Sequence, residues 1–155
     1  MNCSHVNVEK FSCKQKYATS VLSVIYCEDV TMHGCHIEVE NSLGNLVNIA
    51  SRNYIVDNNF ISGGDLDYGN EHANVGIDLD NDGIVGDNKN YSISTAVIRN
   101  NAIKNASITN NTAKQASIDY PIEDISIMGN HIIINISTQE SLRAINLGSF
   151  GGVRK

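Results

Sequence analysis

The chain has 155 residues, enough for one domain, and 17 Asp and Glu against 11 Lys and Arg give it a formal net charge of −6. It has no basic run and no aromatics interleaved with Lys or Arg, which argues against a nucleic-acid or anionic-membrane partner. No apolar stretch approaches the ~20 residues of a membrane-spanning helix, and Met1 to His5 lacks the basic-then-apolar pattern of a signal peptide.

One proline, no tryptophan, 12 glycines and many Asn, Ile and Val make a strand-and-turn composition. From its first residues the chain repeats itself. Val6 to Cys13 overlays Val30 to Ile37, which overlays Tyr54 to Ile61, each a step of 24 residues. Such a period predicts stacked, quasi-identical units, each burying its apolar face on the next. The repeat begins almost at once, so a cap is expected upstream and the chain reads as a module of a longer protein, truncated at both ends. Cys3 and Cys27 share a column with Ser51 and suit a small inward residue. Cys13, in register with Ile37 and Ile61, reads as core. A Cys3–Cys27 disulfide between neighbouring units is the alternative to free thiols.

Each strip ends in a turn pair: Lys10-Phe11, Gly34-Cys35, Asn58-Asn59, Asn100-Asn101 and Gly129-Asn130. Gly and Asn enter the left-handed region cheaply. The residue that follows is turned inward, where successive Asn side chains can bond one another and the backbone as a ladder. Beyond the third unit the period loosens. The segments from Ser62 to Asn74 and from Asp80 to Thr95 read as polar insertions on the rim.

The residues Ile98-Arg99-Asn100-Asn101-Ala102-Ile103 and Ile127-Met128-Gly129-Asn130-His131-Ile132 resemble the recurrent turn of the pectin-lyase-like superfamily. Gly76-Ile77-Asp78-Leu79 resembles the strand that commonly precedes it. The resemblance implies an all-β, right-handed parallel β-helix of about five rungs with three strands per rung. It places the first strands at Ser23 to Cys27, Val47 to Ser51, Val75 to Leu79, Ala116 to Tyr120 and Arg143 to Leu147. In that register Ile25, Ile49, Ile77, Ile118 and Ile145 point inward, while Tyr26, Ala50, Asp78, Asp119 and Asn146 form an outward column. Leu22, Val24 and Leu46 are then outward apolar residues beside Tyr26, suggesting a surface for sugar or a partner.

Asp78 and Asp119 on adjacent strands would stand ~4.8 Å apart, a spacing that suits the two carboxylates of a retaining glycosidase; Asp80 is the alternative partner. Asp78-Leu79-Asp80-Asn81-Asp82-Gly83 also opens like a calcium loop, with Asp87 as a further ligand, although Lys89 stands where an EF-hand has Glu. Calcium is the only cofactor suggested. Glu71 and His72 in the first insertion, with Tyr26, Arg143 and Asn146, are candidate substrate contacts. The polygalacturonase motifs of the family (an N-T-D strand, a D-D pair, a G-H-G turn, an R-I-K strand) are absent, which argues against that hydrolysis. The resemblance extends to phage tailspikes, implying a polysaccharide partner, a homotrimer and an extracellular or virion-surface location. Two readings stay open: a polysaccharide depolymerase, hydrolase or lyase, and a non-catalytic structural or glycan-binding module of a spike shaft or adhesin.

Overall fold

Alternating apolar and polar residues, broken at regular intervals by turn pairs, set the strands. The computed structural model describes residues 3–49, 51–63, 75–80, 94–109, 123–134 and 144–147. In chain order the strands are β1 (Ser4–Glu9), β2 (Ser12–Ile25), β3 (Glu28–His33), β4 (His36–Ile49), β5 (Arg52–Asp57), β6 (Phe60–Gly63) and β7 (Val75–Asp80). They continue as β8 (Ser94–Arg99), β9 (Ala102–Lys104), β10 (Ser107–Thr109), β11 (Glu123–Met128), β12 (His131–Ile133) and β13 (Ile145–Asn146). Every pairing among the described residues is parallel.

One sheet runs β1-β3-β5-β8-β11. The long strands β2 and β4 each serve two further faces. The first residues of β4 pair with β6, leading on to β9 and β12, whereas its last residues pair with β7, leading on to β10 and β13. The result is a parallel β-helix of about five rungs.

Four inward columns run the length of the stack. They are Val6-Val30-Tyr54-Ala96-Ile125, Val8-Met32-Val56-Ile98-Ile127, Cys13-Ile37-Ile61-Ile103-Ile132 and Leu22-Leu46-Ile77-Ile108-Ile145. The three middle members of each column are sealed from solvent, and burial of each aliphatic side chain contributes roughly 1.5–3 kcal/mol. Sizes compensate along a column. The Tyr54 ring is followed by Ala96, and its hydroxyl reaches Met32 Sδ at 3.7 Å.

Two corners recur with the strands. At the second, Lys10, Gly34, Asn58, Asn100 and Gly129 all have positive φ, as the turn pairs predict. At Gly129 a Cβ would stand 2.7 Å from Asn100 Oδ1, so any side chain there would have to push the Asn100 amide aside. Inside this corner the ladder forms. The backbone N–H groups of Cys35, Asn59 and Asn101 donate to the Oδ1 atoms of Asn59, Asn101 and Asn130 at 2.8, 2.9 and 3.0 Å. The first corner carries a second left-handed column that sequence patterning missed: His5, Asp29, Asn53, Thr95 and Asp124, with φ between 51° and 57°.

The face of β7 departs from expectation. Ile25 does pair with Ile49, but Ile77 pairs with Leu46, three residues earlier. An odd slip exchanges the faces. Leu22, Val24 and Leu46 therefore belong to the inward side, while Ile25, the last residue before the Tyr26 corner, is 42% exposed. The strand beside β7 is β10, not Ala116 to Tyr120, a segment outside the described residues along with Ile118. Isoleucine spacing misled because Ile25 and Ile49 close their strands, and because the residues between β6 and β7 break the 24-residue count. Of the expected inward isoleucines, Ile77 keeps its place, sealed from solvent; Ile145 follows it in register through Ile108 but is 45% exposed on the last described strand.

Candidate functional site

The outward column of this face reads Ser23-Val47-Asp78-Thr109, and Asn146 pairs in register with Thr109. Asp78 and Asn146 thus share a register line, as expected, but Thr109 stands between them where Asp119 was placed. Their backbones are about 10 Å apart, two strand spacings. Asp119 lies outside the described residues, as do Glu71, His72, Asp82, Asp87 and Arg143. Asp80 ends β7 opposite Ile49. Tyr26 sits at a corner with φ 53°, half-buried, and does not join the column of Asp78.

Asp78 does not face solvent. It is only 5% exposed, and Gly76 on the same side of β7, with Ser107 and Thr109 on β10, is also buried. The strand is covered on both faces. Gly76 belongs to this crowding: the register shifts between Ser107 and Ile108, and a Cβ on Gly76 would lie 3.2 Å from Ala106 Cβ and from the Ser107 carbonyl oxygen. Through the core, burial first, then the charges of Asp78 and Cys35, push the Tyr54 hydroxyl above the ordinary tyrosine range.

Exposed charge is arranged differently, as cross-rung pairs on the outer faces. Asp57 meets Arg99 Nη2 at 3.2 Å, His33 Nδ1 at 3.6 Å and the Asn100 amide at 3.1 Å. The Arg99 hydrogen bond, helped by Asn100 and His33, holds its carboxyl below the ordinary carboxylate range. Glu38, bonded by Lys14 Nζ at 2.8 Å and His36 Nε2 at 2.9 Å, is pushed down to about 2. His5 and Asn53 both bond Asp29, at 3.0 and 2.8 Å. A general acid needs a carboxyl held protonated, with its pKa raised; Asp57 and Glu38 are held ionised instead. The 24-residue overlay already set His33 against Asp57, so that pair was within reach of the sequence.

Among the described residues no group of three or more His, Cys, Asp and Glu is gathered as a metal site. Of the proposed calcium ligands, Asp78 and Asp80 lie on β7, and Asp82 and Asp87 fall outside the description. No protein-family model, no curated protein and no solved structure matches this chain. The fold therefore rests on its own columns, corners and parallel registers.

Proposed function

We propose that the chain is a non-catalytic, glycan-binding module built on a β-helix shaft, rather than a polysaccharide depolymerase. The observation that carries this is the environment of Asp78: a buried carboxylate whose neighbour on the next rung is Thr109. A glycosidase pair needs two carboxyls that reach the scissile bond together. The downward shifts of Asp57 and Glu38 point the same way. The turn pairs and the ladder through Asn59, Asn101 and Asn130 support kinship with pectin-lyase-like β-helices. With that kinship goes the tailspike-like reading of a homotrimer that meets polysaccharide outside the cell or on a virion surface.

The test compares retention with cleavage. The protein should be retarded during native electrophoresis through gels containing its polysaccharide, with no new reducing ends or unsaturated products released. Cleavage that disappears in Asp78→Asn and Asp119→Asn would reinstate the depolymerase.

A further inference from the structure

The outer face of the sheet containing β6, β9 and β12 carries one column made largely of rings. Register places Ser12, His36, Phe60, Ala102 and His131 one above another. The His36 and Phe60 rings lie face to face, with centroids 4.6 Å apart and planes 20° from parallel. These two rings therefore stack along the axis of the solenoid at the spacing of the rungs. Ala102 interrupts the column. Its methyl cannot cover the second face of Phe60, and both Ala102 and His131 are exposed. Phe60 and His131 are two strand spacings apart, about 10 Å. A ring seated over Ala102 would then lie about 5 Å from each, close to the separation His36 and Phe60 already show and within the usual range for stacked rings.

The rim beside this gap is polar. Ser62, Lys104 and Ile133 form the next outward column. Lys104 has no carboxylate within ion-pair distance among the described residues, and the Ser62 hydroxyl donates to the Gly63 carbonyl at 3.0 Å, leaving its oxygen free to accept. We propose that the slot over Ala102, walled by Phe60 and His131, binds a pyranose ring whose hydroxyls are all equatorial, the β-gluco configuration. Such a ring offers bare C–H on both faces to two aromatic walls and directs its hydroxyls sideways toward Lys104 and Ser62. An aromatic side chain would fill the same space and leave those polar groups unused. The site rests on the glycan-binding reading and gives it a location and a sugar class.

Methyl β-D-glucopyranoside is titrated into the 15N-labelled chain, followed by amide shifts, with p-cresol as the aromatic control. Saturable shifts centred on Phe60, Ala102, Lys104 and His131, with a dissociation constant on the order of millimolar, are expected. Ala102→Phe continues the ring stack on an exposed strand position, where cross-strand aromatic pairs are well tolerated, and should weaken binding at least about tenfold. Phe60→Leu should do the same while keeping an apolar contact. Unsaturable shifts, shifts indifferent to Ala102→Phe, or p-cresol binding there without the glucoside each overturn the site. Polysaccharide retardation that persists unchanged in Ala102→Phe removes this site alone, whereas no retardation of the wild-type chain removes the glycan-binding reading itself.

Discussion

Two buried asparagine environments in this molecule look alike in composition and differ in physics. In the second corner, Asn59, Asn101 and Asn130 each accept a backbone N–H from the rung before. Each also donates to a carbonyl, Met32, Val56 and Ile98 in turn, at 3.1, 3.0 and 2.9 Å. On β4, Asn45 is 0% exposed, and neither its Oδ1 nor its Nδ2 has a hydrogen-bond partner among the described residues. The left-handed turn explains the difference. At a corner the strand ladder is interrupted, so backbone groups are left over for an amide to satisfy. Asn45 stands inside β4, just before the stretch that pairs with β7, away from any corner, and among the described residues its amide finds nothing to bond. Asn48, nearer the next corner, is again satisfied, its Oδ1 accepting the Ser51 N–H at 2.9 Å.

The comparison breaks most sharply at Asn101. Replacing it with Leu strands the Asn59 N–H and the Val56 carbonyl in the interior, each at a cost of about 1–3 kcal/mol. Asn101→Leu should therefore lower unfolding free energy by about 3 kcal/mol in urea titrations. A loss under about 0.5 kcal/mol, the range of neutral surface changes, would mean the ladder is decorative.

Asn45 should answer in the opposite direction. Its position lies beside Val21 of the preceding rung, since Leu22 pairs with Leu46. Asn45→Val removes two unsatisfied polar atoms and restores an apolar side chain suited to a strand. A gain of about 2 kcal/mol is expected from relief of the desolvation penalty. Destabilisation by this change would show that Asn45 serves an interaction of its own.

How far each feature could be read beforehand follows from the same physics. The ladder corner was legible because Gly and Asn mark left-handed turns and because the 24-residue step holds from Val6 to Ile61. The first corner was missed although His5, Asp29, Asn53 and Asp124 are residue types enriched at positive φ: each is the second residue of its strand, where the apolar alternation reads as unbroken. Asp78 and Asn146 fall in one register line, as their strands were aligned in the sequence, with Thr109 between them. The burial of Asp78, and Thr109 as its neighbour, depend on a register that the residues after Gly63 reset, and no periodicity carries through such an insertion.

Thr95 makes a smaller prediction. A β-branched residue at φ 57° is strained, whereas Asn53 in the same column is at ease. Thr95→Asn should raise stability by about 1 kcal/mol, read as an upward shift of the thermal midpoint. An unchanged or lower midpoint would show that the threonine side chain has a compensating role.

The smallest effect tests the outside of the corner whose inside holds the ladder. Asn100 donates to Asp57 on the surface while Asn101, the next residue, bonds within. Arg99, Asn100 and His33 lower the Asp57 pKa from its ordinary 3.8. A lowered folded pKa means that the unfolded chain takes up its proton first. The stabilisation is complete above the ordinary value, declines as pH falls below it, and is gone once pH passes below the folded value. The pair is partly exposed, so its worth is under about 1 kcal/mol and should shrink in molar salt. Asp57→Asn should therefore be less stable than wild type near about pH 5, with the gap closing as pH falls toward 2, through the carboxylate range. A gap that stays constant to low pH would mean that Asp57 braces the corner through neutral hydrogen bonds, as the buried asparagines do, and that charge adds nothing there.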